Sequence, residues 1–242
     1  MKTITIASQT FTKRAAKVKL PYIDQLAGFY LFGGNDALST PNLAYGASQN
    51  LTKIGTPTYS SGYATIGASN GYDTGLLMDT PFTQFAVVNQ PNLSSALAIF
   101  CRGTGNTDNF VDMLRWVSNA SSQYQVDGWP NGVQQQTIGP ALNPLNGSNF
   151  VFIAQTWGGT GTRHIVYVGQ PNVFMSSGSS NSVTNSTTPT HTLRLGTGYN
   201  SGTSATQLAA AGLASSVLTI QQLNDIYIYL KSFLATRGVT ML

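Results

Sequence analysis

From Asn149 to Leu242 the chain reads as a series of apolar strands closed by one amphipathic helix, and this order constrains the fold more than any other feature. The strand candidates are Asn149–Trp157 (NFVFIAQTW), Arg163–Gly169 (RHIVYVG), His191–Gly196 (HTLRLG) and Gly212–Leu218 (GLASSVL). A continuous apolar run such as Phe150–Trp157 suits a strand buried on both faces. Gly158-Gly159-Thr160-Gly161 then turns it into Arg163–Gly169 as an antiparallel hairpin. The helix occupies Thr219–Gly238. Thr219 as N-cap with Gln222 three residues on makes a capping box, and Gly238 suits the position just past the end. Leu223, Ile226, Tyr227, Leu230, Phe233 and Leu234 fall on one face. That stripe is read as core.

Charged residues make up 8% of the 242 residues, against about 25% in an ordinary soluble domain. Ser, Thr, Asn, Gln and 25 glycines take their place. A hydrophobic content of 41% with 11 Phe and 11 Tyr excludes a disordered chain. The composition suits one large all-β domain with many polar turns. Cys101 is the single cysteine, so no internal disulfide and no cysteine-based zinc site can form. It is read as a small buried hydrophobe.

Residues 1–24 form a distinct arm. Thr3-Ile4-Thr5-Ile6 alternates like an edge strand, with a first strand of the sandwich as the alternative reading. Lys13, Arg14, Lys17 and Lys19 follow as a basic cluster. The net charge of +4 is small, and outside this cluster the chain is close to neutral. Nucleic-acid binding, which needs many phosphate contacts, is not expected. The N-terminus lacks the apolar core of a signal peptide, and no stretch approaches a membrane span. Synthesis in a cytosol is the expectation.

Within 25–242, Leu26–Phe32, Tyr63–Ile66, Phe82–Val88, Leu97–Cys101, Phe110–Val117, Gln123–Val126 and Gly132–Thr137 read as further strands between turn signals. Ser176–Thr190 is polar and of low complexity, and reads as a functional or mobile loop.

The run RHIVYVG, then HTLRLGTGY, then GLASSVLTIQQLNDIYIYLKSFLATRGVTML resembles the C-terminal half of concanavalin A-like, laminin-G-like jelly rolls. Thr52–Met78 (TKIGTPTYSSGYATIGASNGYDTGLLM) resembles the opening half of such domains in bacteriophage genes. The resemblance covers most of residues 25–242. It implies an all-β concanavalin A-like jelly-roll sandwich with an N-terminal arm and a closing helix at about 220–237. It also implies a non-enzymatic virion structural protein, a surface decoration, tail or fibre component, present in many copies or as a homo-oligomer. Attachment to other virion proteins would run through residues 1–24. A module gripping a host-surface glycan or receptor is the alternative.

The chain has no glutamate; its eight acidic residues are all aspartate. The Glu-x-Asp-x-x-Glu motif of hydrolases on this fold therefore cannot exist here. Asp108 and Asp112, placed on one strand, would stand roughly 13 Å apart, outside the window for paired catalytic carboxylates. Asp73 and Asp79 flank an apolar run and would be further apart. His164 and His191 sit in predicted strands without a nucleophile elbow, and are read as structural.

Asp108, Asn109 and Asp112, and separately Asn35 with Asp36, offer the hard oxygen ligands that a structural calcium would use. They are equally ordinary turn formers, and no other cofactor is expected. For sugar recognition, Trp129 in the turn DGWPNG is the exposed-platform candidate, with Asn131 beside it. Tyr199 and Asn200 come next. Trp116 and Trp157 are read as core.

Overall fold

The computed structural model describes residues 18–47, 49–67, 69–78, 81–91, 97–102, 112–117, 123–128, 135–138, 149–158, 162–170, 173–179, 191–197 and 205–242. Fifteen strands in two antiparallel sheets and one long C-terminal helix make up the described fold, an all-β jelly-roll sandwich.

In chain order the strands are β1 Leu26–Leu31, β2 Thr52–Ile54, β3 Thr58–Tyr59, β4 Ala64–Gly67, β5 Gly71–Asp73, β6 Phe82–Asn89, β7 Leu97–Cys101 and β8 Asp112–Val117. They continue as β9 Gln123–Gly128, β10 Gln135–Ile138, β11 Val151–Gly158, β12 Thr162–Gln170, β13 Val173–Ser179, β14 Arg194–Leu195 and β15 Ala205–Ala214. A short helix, α1, spans Asp36–Ser39, and the closing helix, α2, spans Ile220–Ala235. Sheet A runs β13-β12-β11-β6-β15-β4-β3, and β1 joins the far half of β15. Sheet B runs β10-β9-β8-β7-β14-β5-β2.

Alternation along β6 and β11 explains why both are apolar throughout. Phe82, Ala86 and Val88, with Val151, Ile153 and Trp157, face the core between the sheets. Phe85 and Val87, with Phe152 and Ala154, face a second core beneath α2. Leu223, Ile226, Tyr227, Leu230 and Leu234 of the helix fill that second core. Phe152 meets Phe85 at 5.6 Å and Tyr227 at 6.1 Å between ring centres. Sheet A is thus covered on both faces.

The expected capping box is present: Gln222 N–H donates to Thr219 Oγ1, and Thr219 N–H donates to Gln222 Oε1. At the other end Gly238 has φ +76°. Val239 N–H reaches the Leu234 carbonyl and Gly238 N–H reaches that of Ala235, the paired bonds of a Schellman turn.

Several boundaries differ from the sequence reading. β15 begins at Ala205 and ends at Ala214, not at Gly212–Leu218. Its run of alanines suits a helix by propensity. Tertiary packing overrides that preference, because a central strand under α2 needs small residues, and a Cβ at Gly212 would overlap the Phe85 ring. His191–Gly196 yields the two-residue β14, with His191 outside it. Ser176–Ser179, read as loop, continue β13, where pairing with β12 satisfies their backbone. The rest of that polar stretch, 180–190, lies outside the described residues. Trp157 and Cys101 are buried, as expected.

Candidate functional site

Since α2 covers sheet A, the outer face of sheet B is the broad sheet face that the closing helix leaves free. Its composition follows from register. Tyr72, Phe100 and Leu195 point into the core between the sheets. Their chain neighbours Asp73, Cys101 and Arg194 therefore lie on the outer face. Cross-strand pairing extends them into one row, Thr52–Asp73–Arg194–Cys101–Met113–Asp127–Gln136. Arg194 Nε stands 3.4 Å from Asp73 Oδ2, with both side chains partly exposed. Asp73 Oδ1 also accepts from Gly75 N–H at 2.8 Å, which fixes the carboxylate. Toward the middle of the face Ala98 and Cys101 are fully buried.

Asp112 stands directly opposite Gly128. The β7–β8 and β9–β10 connections, which carry Asp108, Asn109, Trp129 and Asn131, therefore spring from the same end of sheet B. Asp108, Asn109, Trp129 and Asn131 themselves lie outside the described residues, as do Tyr199, Asn200, Lys13, Arg14 and Lys17. The chain leaving β14 toward Tyr199 runs the other way, past Ile99, whose carbonyl accepts from Gly196 N–H. Strand direction thus separates the departure points of the Trp129 and Tyr199 segments. Among the described residues no three His, Cys, Asp or Glu side chains come together.

The pair Asn35 and Asp36 is a turn and cap, not a cation site. Asn35 Oδ1 accepts from Leu38 N–H at 3.1 Å, capping α1. Asp36 is engaged by Lys53 Nζ at 2.5 Å and by the Tyr59 hydroxyl. Tyr72 donates in turn to Tyr59, 2.8 Å between oxygens. Because β2 and β3 are the edge strands of the two sheets, this chain of contacts closes the open side of the sandwich. The Lys53 and Tyr59 hydrogen bonds hold the Asp36 carboxyl below the usual range. Burial, then the bond to Asp36, pushes Tyr59 up to about 12. Burial raises Tyr72 as well. At neutral pH Asp36 stays ionised and both tyrosines stay protonated. The cluster can make hydrogen bonds but is not poised for proton transfer.

Sequence reasoning missed Asp73, Arg194, Lys53, Tyr59 and Tyr72 as members of any site. Each is separated in sequence from at least one partner, and no local spacing signals the contacts. It also missed the polar element of the inner core. There Gln84 of β6 donates to Gln155 of β11, both fully buried. The buried Arg102 donates to the Met78 carbonyl and stands 5.6 Å from the Phe82 ring centre.

No family profile and no curated protein matches this sequence. Solved structures do. Domain 4 of AbnA, a GH43 extracellular arabinanase from Geobacillus stearothermophilus solved in complex with arabinotriose, is similar at TM-score 0.61 and 16% identity, over 84% of this chain and 98% of that domain. Trypanosoma rangeli sialidase in complex with sialic acid is similar at TM-score 0.62 and 13% identity, over 93% of this chain and 38% of the sialidase. The receptor binding domain of botulinum neurotoxin C/D mosaic serotype is similar at TM-score 0.57 and 10% identity, over 86% of this chain and 51% of that one. At these identities the shared property is the two-sheet β-sandwich fold.

Proposed function

We propose that this chain is a non-enzymatic glycan-binding module whose ligand face is the outer side of sheet B. The observation that carries the reading is the three-layer order: α2 seals sheet A, leaving the partly exposed Asp73–Arg194 pair on the side of the sandwich away from the helix. A carboxylate and a guanidinium held side by side offer the acceptors and donors that sugar hydroxyls need. Trp129, one residue beyond the end of β9, supplies an aromatic partner for a sugar face. The likeness to an arabinanase domain solved with arabinotriose supports this choice, since that similarity spans nearly the whole of that domain. The absence of glutamate and the proton-locked Asp36–Tyr59 pair support binding without catalysis. The setting we propose is the one the sequence resemblance implies, the surface or tail of a bacteriophage particle.

A glycan array probed with the full chain tests the reading. Arabino-oligosaccharides and bacterial surface polysaccharides are the panels to include. Binding should fall on Trp129→Ala and on Arg194→Ala, with the melting temperature of Trp129→Ala unchanged. Absence of binding to every glycan, or binding indifferent to both substitutions, would sink the proposal. Release of reducing sugar from a bound polysaccharide would overturn its non-enzymatic half.

A further inference from the structure

Asp73 and Arg194 are cross-strand partners on β5 and β14, and their contact leaves one edge of the guanidinium unused. Asp73 Oδ1 accepts from Gly75 N–H in an Asx turn, with Gly75 at φ +67°. Asp73 Oδ2 accepts from Arg194 Nε at 3.4 Å. Both carboxylate oxygens are thus engaged by the chain itself, which orients the guanidinium before any ligand arrives. That contact uses Nε alone. The terminal Nη1 and Nη2 groups form the flat fork that matches a carboxylate with two parallel N–H···O bonds. They have no partner among the described residues. The Arg194 side chain is 36% exposed, so a ligand can reach it from solvent.

The neighbouring strand extends the row. Thr52 of β2, opposite Asp73, is exposed. From Thr52 through Asp73 to Arg194 the sheet presents a hydroxyl, a carboxylate and a guanidinium, one per strand and about 4.8 Å apart. That step is comparable to the width of a hexose ring.

We infer that the ligand of this site is a carboxylated sugar, a uronate, whose carboxylate sits on the Nη fork of Arg194 while a ring hydroxyl donates to Asp73. The inference rests on the glycan reading above and narrows it from neutral sugars to acidic ones. A neutral sugar offers the charged fork only hydroxyl oxygens, which make weaker bonds there than a carboxylate does. A phosphate group draws its affinity from converging cations, whereas in this row one cation stands beside a fixed carboxylate.

The full chain is tested against polygalacturonate, alginate and hyaluronan, each paired with the same polymer after chemical reduction of its carboxyls, and against dextran sulfate. At least one uronate should bind about tenfold more tightly than its reduced form. Arg194→Lys keeps the charge but loses the fork, and should erase most of that preference; Arg194→Gln should erase all of it. Lys19→Gln, an equal loss of charge at an exposed position beside the closing helix, should leave it intact. The melting temperatures of these variants should match the parent. Uronates that bind no better than their reduced forms, while neutral glycans still bind, would overturn this inference and leave the glycan reading standing. No binding to any glycan would overturn both. Equal losses from Arg194→Gln and Lys19→Gln would reveal a response to net charge alone. Tighter binding of dextran sulfate than of every uronate would reveal a general anion site. Either result would also overturn the inference.

Discussion

Tyr59 shows how one side chain ties two sheets together. It sits on an edge strand of sheet A, donates to Asp36, and accepts from Tyr72 of sheet B. Its folded value is about 12 against an ordinary 10.0, so the folded state holds the phenol proton more tightly than the unfolded chain does. The associated stability is complete below the ordinary value and is lost as pH rises toward the folded one. Asp36 is displaced downward. Its contribution is present above the ordinary carboxylate value and disappears as pH falls through the lowered one. Tyr59→Phe should therefore flatten the fall of the urea midpoint between the unfolded and folded tyrosine values, and should shift tyrosinate absorbance to lower pH. An unchanged alkaline profile would show that the edge cluster does not couple to folding.

At the scale of elements, α2 and the β6–β11 pair carry the two cores. Leu230 is fully buried beneath the helix. Leu230→Asp would place an unpaired carboxylate there and should cost several kcal/mol, roughly the 3–5 kcal/mol of the severe class. Insoluble or unfolded protein is the expected outcome of expression; a soluble variant with the parent melting temperature would refute the packing. Gln84 and Gln155 are direct cross-strand partners, with Thr83 opposite Thr156. Gln84 Oε1 and Gln155 Nε2 are buried without further partners. Replacing one glutamine by leucine strands the other amide entirely, so each single variant should lose about 1–3 kcal/mol. The double variant Gln84→Leu/Gln155→Leu should lose less than either. The pair also marks register, because a two-residue slip would set each glutamine against an apolar neighbour. Urea denaturation of the three variants measures the coupling, and additive losses would deny it.

For the molecule as a whole, the layer order is helix, sheet A, sheet B. Residues 18–25 run antiparallel along α2 as a strap, with Lys19 N–H donating to the Tyr229 hydroxyl and the Tyr22 hydroxyl to Asp225, and they contribute buried Val18 and Leu20 to the second core. Removing residues 1–17 should leave the melting temperature unchanged. Removing residues 1–24 should lower it by several degrees, since burying even one such side chain is worth about 1.5–3 kcal/mol. Equal melting of the two truncations would show that the strap is not part of the folded body.

Local chemistry alone determined a good part of this. Strand patterning in Phe82–Val88, Leu97–Cys101 and Phe150–Trp157, the Thr219 capping box and the Gly238 stop all depend on residues a few positions apart. They were legible for that reason. So were the jelly-roll resemblance and the lack of glutamate. Tertiary structure decided the rest. β15 is a strand despite its alanines because a central, doubly covered position admits small residues. Asp36 is bound by Lys53 and Tyr59 rather than poised for a cation because two sheet edges converge on it. Asp73 meets Arg194, and Lys19 meets Tyr229 of the closing helix, across separations of more than a hundred residues. A sequence records which side chains a chain carries and their local period; which distant ones share a face is set when sheets pair and layers stack.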